Sequence, residues 1–177
     1  MKFNWKNAVI LAVICAVIGC AVALTYSVAG PRIVQKAEET ANEARQALFP
    51  EADSFEAQEL APDSGLDNCY AALRGGEVIG YTAQVTVSGS QGMIEVISGL
   101  NTDSEIVGIT VGGSGFSETP GLGAKTKEPD FTSQFAGLTL PAVLKENVDG
   151  VTGATISSAA VVSAVNLIGD YIQSLMG

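Results

Sequence analysis

The amino-acid sequence predicts an α+β fold class: a single N-terminal transmembrane helix followed by an antiparallel sheet packed with helices. Three patterns carry this. Residues 8–29 (AVILAVICAVIGCAVALTYSVA) hold no charged side chain, and at about 1.5 Å per helical residue they reach roughly 33 Å, the thickness of a bilayer's hydrocarbon core. Residues 79–88 alternate, with Ile79, Tyr81, Ala83, Val85 and Val87 on one side and Gly80, Thr82, Gln84, Thr86 and Ser88 on the other, the period of a half-buried strand. Val161, Val165, Ile168, Ile172 and Leu175 recur at steps of 4, 3, 4 and 3, a stripe on one side of a helix suited to covering a sheet.

The membrane element comes first. Lys2 and Lys6 lie on the short N-terminal flank, so the positive-inside rule puts the N-terminus in the cytoplasm and residues 31–177 outside the inner or plasma membrane, while Arg32 and Lys36 on the far flank act against it. Ser27-Val28-Ala29 has the small residues of a signal-peptidase site, and Val17-Ile18-Gly19-Cys20 loosely matches a lipid-attachment box. The apolar run continues well past Cys20, which favours an uncleaved anchor. Beyond Gly30-Pro31, RIVQKAEETANEARQALF is rich in helix formers and stops before Pro50, predicting a juxtamembrane helix. Residues 51–67 are acidic and rich in turn formers, an exposed connection. The expected organisation is a cytoplasmic N-terminus and anchor over 1–30, a juxtamembrane helix and linker over 31–67, and an extracytoplasmic domain over 68–177.

Within that domain Gly75-Gly76 predicts a hairpin turn between CYAALR and the alternating strand. Further strands are expected at Met93–Ser98 and Glu105–Val111, parted by Asn101-Thr102-Asp103. The terminal helix follows.

Composition removes several classes of function. Every Asp and Glu lies at Glu38 or later, and the 9 basic residues less Lys2 and Lys6 leave 7 against 19 acids beyond residue 30. Such a surface repels phosphate backbones, which excludes nucleic acid as a partner. The chain has no histidine, so Ser-His-Asp hydrolysis is excluded. Cys15 and Cys20 fall inside the span, five apart, and Cys69 stands alone in the soluble part; no disulfide framework and no metal site follows from them.

Two loops hold the candidate chemistry. Asp149–Ser158 reads DGVTGATISS: Gly150 and Gly153 let the backbone approach a ligand, Thr152, Thr155, Ser157 and Ser158 offer hydroxyls, and a helix begins just after them, where free N–H groups and the helix dipole attract an anion. Capping of that helix by Ser157 or Ser158 is expected in either case. Gly112–Gly123 reads GGSGFSETPGLG, five glycines following a strand, with Glu118, Thr119 and Leu122 supplying polar handles and an apolar surface for a flat heterocycle.

Taken together, DGVTGAT followed by ISS and the upstream ETPGLG resemble the two loops of the FMN-binding domain family, and behind a single anchor they look like its members in the Rnf ion-translocating ferredoxin:NAD oxidoreductase, the G subunits. The resemblance spans most of the soluble domain. It implies FMN held covalently by a phosphoester to Thr155, with Thr152, Gly153, Ala154 and Ser157 about the phosphate and Glu118, Thr119, Leu122 and Gly123 lining the flavin. It implies too that a separate flavin transferase recognises the motif through Asp149 and Gly150. Lys145 is the one cation after Lys127 and is either a partner for the phosphate or reduced flavin, or a solvated lysine paired with Glu146. Phe116 stands where the family commonly has histidine. The function implied is that of an electron relay, not catalytic alone, in a membrane complex that couples ferredoxin:NAD electron transfer to Na+ or H+ movement, with iron–sulfur and flavin subunits and membrane lipid as partners. Three alternatives accompany it: the C subunit of a sodium-pumping NADH:quinone oxidoreductase, a stand-alone extracytoplasmic flavoprotein reductase, and a non-enzymatic binding module.

Overall fold

The computed structural model describes residues 5–177, and Lys2 of the basic flank lies outside them. The chain divides into two compact units, Met1–Thr40 and Ala41–Gly177. The first is helical: α1 (Trp5–Leu48) carries the apolar run, whose core Ala8–Ser27 has a mean hydropathy of 2.8 and no buried residue. Near its end Thr25 Oγ1 donates to Ala21 O and Ser27 Oγ to Leu24 O, each at 2.9 Å, which lowers the cost of placing these two side chains in lipid. The span and the juxtamembrane helix expected on either side of Gly30-Pro31 form one continuous helix. A proline deletes one bond of the ladder, and the strong helix formers beyond it carry the helix on.

The second unit is built on a five-stranded antiparallel meander, in the order β1 (Ser54–Ala57), β2 (Asn68–Arg74), β3 (Glu77–Ser88), β4 (Met93–Asn101), β5 (Ile106–Gly112). Gly75 and Gly76, with φ of 61° and 86°, make the two-residue turn between β2 and β3, the geometry whose twist suits a hairpin. The β4–β5 turn is held by the Asn101 side chain, whose Oδ1 accepts the N–H groups of Asp103 and Glu105. A short helix, α2 (Pro129–Thr132), lies between two 3₁₀ turns, Gly123–Lys127 and Ser133–Phe135, and α3 (Thr155–Met176) closes the chain.

One side of the sheet receives α3. Val161, Val165, Ile168 and Ile172 are fully buried against Ala83, Val85, Ile94, Val96 and Leu100, with Phe131 and Phe135 filling the space beside them. Leu175, the last residue of the expected stripe, is exposed at the helix's frayed end. This helix is long and apolar enough to resemble a second span, but half of it is buried in the domain, which identifies it as a core helix.

The other side is where structure and sequence part. The expected boundary at residues 67 and 68 moves to Ala41, because the last turns of α1 and the residues after it are part of the domain: Ala44, Leu48, Phe49 and Ala52 pack on Ala72 and Ile97. The supposed linker also contains β1, paired with β2 from Ser54↔Leu73 to Ala57↔Tyr70. Ile79 joins this second cluster instead of the face shared by Ala83 and Val85. The cause is a bulge: pairing steps from Ala72↔Gly80 to Leu73↔Val78, so Ile79 has no partner and the alternation changes side.

Phe49 sits in a slot made by missing side chains. A Cβ on Gly99 would come within 2.7 Å of Phe49 Cε2, and one on Gly80 within 2.6 Å of Cε1. Gly99→Ala should therefore destabilise the full chain by about 1–3 kcal/mol through overpacking, and Phe49→Ala by about 3–5 kcal/mol through the cavity left behind. In the Phe49→Ala background Gly99→Ala should be nearly neutral, a coupling measured by urea unfolding of the four proteins in detergent.

Candidate functional site

The site forms where α3 begins. Its first helical residue is Thr155, and the preceding Ala154 (φ −128°, ψ 41°) makes no side-chain cap. The first ladder bond runs from Ser158 N–H to Ala154 O at 3.0 Å. Among the described residues, no hydrogen bond uses the N–H of Thr155, Ile156 or Ser157, and no acid lies in the first turn. Three donors without a partner among the described residues and the positive end of a 22-residue helix thus meet at one end, with Thr155 and Ile156 exposed and Ser157 buried, an arrangement suited to an anion. Gly153, in the left-handed region at φ 78°, makes the turn that delivers the chain into the helix.

Ser157 and Ser158 were expected as caps and serve otherwise. Both are fully buried inside the first turn. Ser157 Oγ donates to Glu118 Oε2 at 2.7 Å, and Ser158 Oγ accepts the N–H of Val151 at 3.0 Å. The helix starts at Thr155, three residues earlier than a Ser157 cap requires, and the hydroxyls tie it to the loops on either side.

In front of the open N–H groups lies a hollow of about 390 Å³. It gathers most of the residues expected to hold a cofactor: Glu118, Thr119, Leu122 and Gly123 from the companion loop, and Gly153, Ala154, Thr155 and Ser157 from the helix start. Thr155 is exposed at its edge. Leu122 (43% exposed) and Ile156 (65% exposed) give it apolar surface. The remaining walls are Ser90 and Gln91 from the β3–β4 turn. These two, with Ile156, escaped the sequence reading; the available signals were the glycine-flanked turn Gly89-Ser90-Gln91-Gly92 and an isoleucine interrupting a hydroxyl-rich run.

Glu118 is 5% exposed. Burial pushes its carboxyl pKa up, but hydrogen bonds from Gln91 N–H, the Ser157 hydroxyl and the N–H groups of Ser90 and Gly92 outweigh this and hold it below the usual carboxylate range. It is therefore ionised at neutral pH.

Asp149, Gly150 and Thr152 are not in this hollow. They line a neighbouring one of about 530 Å³ with Lys125, Glu128 and Gln134. Gln134 grips the backbone of Asp149 with both ends of its amide, Oε1 accepting Asp149 N–H at 2.7 Å and Nε2 donating to Asp149 O at 3.3 Å. The DGVTGAT motif thus divides at Thr152-Gly153, one half facing each hollow. Lys145 faces neither: it is exposed, at φ 67°, in the loop closed by its N–H to Val148 O at 2.8 Å. Phe116 is half-buried against the core, with Lys127 Nζ 5.4 Å from its ring centroid.

Chemically the arrangement fits a flavin phosphate. The open helix end suits a phosphate, the two apolar side chains suit a flat ring, and the volume is of the size that small-molecule sites take. Comparison with known proteins agrees. The family model described as FMN-binding domain matches residues 89–168, from the β3–β4 turn into α3, and so includes both loops. The chain is 36% identical to the G subunit of the Na(+)-translocating ferredoxin:NAD(+) oxidoreductase complex of Acetobacterium woodii, over 98% of this chain and 94% of that one. It is also 36% identical to the G subunit of the ion-translocating oxidoreductase complex of Methanosarcina acetivorans, over 97% of this chain and 96% of that one. A solved structure, that of the C subunit of the Na(+)-translocating NADH-quinone reductase from Parabacteroides distasonis, matches with a TM-score of 0.47 at 25% identity, covering 59% of this chain and 60% of that one. On the full-length relatives, together with the matched domain, the chain belongs to the FMN-binding domain family, among the G subunits of ion-translocating oxidoreductase complexes.

Proposed function

We propose that this chain is the flavin-bearing electron relay of an ion-translocating ferredoxin:NAD oxidoreductase complex, with FMN joined through its phosphate to Thr155. The observation that carries the reading is the exposed Thr155 hydroxyl at the first residue of a helix whose first three N–H groups have no partner among the described residues. When bound, FMN supplies electron transfer singly or in pairs. The chain's own residues hold and shield it. A phosphodiester keeps one negative charge, which the N–H groups of Thr155, Ile156 and Ser157 and the helix dipole stabilise. Leu122 and Ile156 provide apolar surface for the ring, and Thr119 a polar contact at its edge.

Attachment is the work of a separate flavin transferase. The donor must carry its phosphate as an anhydride: the bond from Thr155 Oγ to phosphorus forms, the anhydride P–O bond breaks, its other phosphate leaves, and the hydroxyl proton passes to a base on the transferase. Asp149 and Gly150, facing the neighbouring hollow, are the part of the motif left open for that enzyme to read. In the assembled complex α1 anchors the chain in the inner or plasma membrane with its N-terminus in the cytoplasm, and the domain meets the other redox subunits outside. The span Ala8–Ser27 is exposed along its whole length, free to pack on lipid and on helices of the other subunits. Its single helix has no charged lining for an ion path, so Na+ or H+ movement belongs to the complex as a whole.

Material from a host with the transferase should remain fluorescent after denaturation and be heavier by one FMN in an intact-mass measurement. Thr155→Val should lose both signals while its stability to unfolding changes by no more than about 0.5 kcal/mol, since an exposed side chain outside the packing is removed. Wild-type chain with an unmodified Thr155 would overturn the reading. Orientation is tested separately: Ser64→Cys in the turn after β1, in a Cys15→Ser and Cys20→Ser background, should react with a membrane-impermeant maleimide in intact spheroplasts, and labelling only after lysis would reverse the topology.

A further inference from the structure

Both oxygens of Glu118 are engaged by the protein itself. Its Oε1 accepts the N–H of Gln91 at 3.0 Å, and its Oε2 accepts the hydroxyl of Ser157 at 2.7 Å. Gln91 N–H can only donate, and the Ser157 hydroxyl donates as well when Glu118 is a carboxylate, so the charged form satisfies both partners. The next residue back strengthens the tie, because Ser117 Oγ donates to Gln91 O at 3.3 Å. Two glycines give the carboxylate its room. A Cβ on Gly89 would strike Glu118 Oε1 and approach Ile94 Cδ1 to 2.7 Å, and a Cβ on Gly123 would strike Oε2 and come within 2.9 Å of Ser157 Oγ. Three separate pieces of chain, the β3–β4 turn, the companion loop and the first turn of α3, therefore meet on one buried carboxylate.

Beyond the packing of α3 on the sheet, few local bonds hold that first turn. It has no side-chain cap, and its start is fixed by the Ser158 N–H to Ala154 O bond and by the Val151 N–H to Ser158 Oγ bond. Ser157 lies two residues after Thr155 in the same helical turn, so what fixes Ser157 also fixes the backbone from which the Thr155 side chain projects. We propose that Glu118 is a positioning residue for flavin attachment: its carboxylate clamps Ser157 to the β3–β4 turn and so holds the Thr155 hydroxyl and the open N–H groups on one wall of the hollow. The proposal rests on the reading that Thr155 carries the flavin. It assigns Glu118 a second effect through its charge. A fixed negative group on the wall of the hollow opposes added electron density on the cofactor there, so the flavin is harder to reduce with Glu118 than without it.

The test uses the full-length chain in detergent with a flavin transferase and FAD, a flavin phosphoanhydride, and follows covalent flavin by in-gel fluorescence and intact mass, folding by thermal melt, and the flavin potential by redox titration. Glu118→Ala and Ser157→Ala should each slow flavin attachment by about tenfold or more while still melting cooperatively. Glu118→Gln keeps an acceptor for Gln91 N–H and offers its amide N–H to Ser157 Oγ, so it should restore attachment to within about twofold of wild type and shift the potential of the attached flavin upward. Attachment at the wild-type rate in both alanine variants, or an unmoved potential in Glu118→Gln, would overturn the proposal. Should Glu118→Ala fail to fold, Ser157→Ala and Glu118→Gln decide by the same criteria. Failure of the Thr155 reading itself shows differently, as wild-type chain that takes no flavin.

Discussion

Three backbone donors at the start of α3 have no partner among the described residues, and much of the domain is arranged so that they stay available. A helix end normally satisfies itself with a serine, threonine or aspartate cap or with an acid in its first turn. This one has serines in reach, yet Ser157 and Ser158 are buried and bonded to Glu118 and to Val151. Withholding the cap removes a local stabilisation from α3. The helix tolerates this because its far larger contribution comes from packing: Val161, Val165, Ile168 and Ile172 are fully buried against the sheet, each worth roughly 1.5–3 kcal/mol by transfer. A core helix can leave its N-terminus open for a ligand when its register is already determined by its apolar stripe.

The same economy appears in the β3–β4 hairpin. At one end, Gly80 and Gly99 leave the slot that Phe49 fills. At the other, Gly89-Ser90-Gln91-Gly92 closes on itself through Gly89 N–H to Gly92 O at 2.8 Å and presents the N–H of Gln91 to Glu118. About eight residues of paired strand separate the two ends, roughly 26 Å at strand rise. One face of these strands packs on α3 through Ala83, Val85, Ile94 and Val96, and on the other Ile97 joins Ala44 and Leu48 at the end of α1. The turn is consequently a fixed support for Glu118.

What the sequence made visible follows from how local each signal is. The β3 alternation, the Gly75-Gly76 turn and the α3 stripe depend on neighbours in the chain, and the structure contains all three. Ile79 was assigned to the wrong face because a bulge depends on the pairing of β2 with β3, which no window of one strand contains. β1 was missed for a related reason: four residues, mostly exposed, become a strand only by pairing with β2. In the site, the two loops were visible by composition, and their residues do meet. Glu118 was read as lining the flavin, and what its oxygens do depended on a third segment, Ser90-Gln91, whose contribution is backbone N–H and is therefore silent in the side-chain pattern. Lys145 attracted attention as an isolated cation in the sequence. Distance along the chain carried no information about where its loop goes, and it faces neither hollow.

The soluble unit is also notable for the chemistry it leaves out, and this bears on what a relay requires. There is no histidine anywhere in the chain, so the usual proton carrier near pH 7 is missing. Cys69 is buried, and burial pushes its thiol up to about 11, which keeps it protonated and unreactive. Glu118 is held ionised by donors on both oxygens, so it exerts a constant charge and does not exchange a proton in the working range. A site of this kind offers donors for a phosphate, apolar surface for a ring and one fixed negative charge. A protein that hands electrons between partners needs the cofactor held at a set orientation near the surface, and the open edge at Thr155, Leu122 and Ile156 meets that requirement.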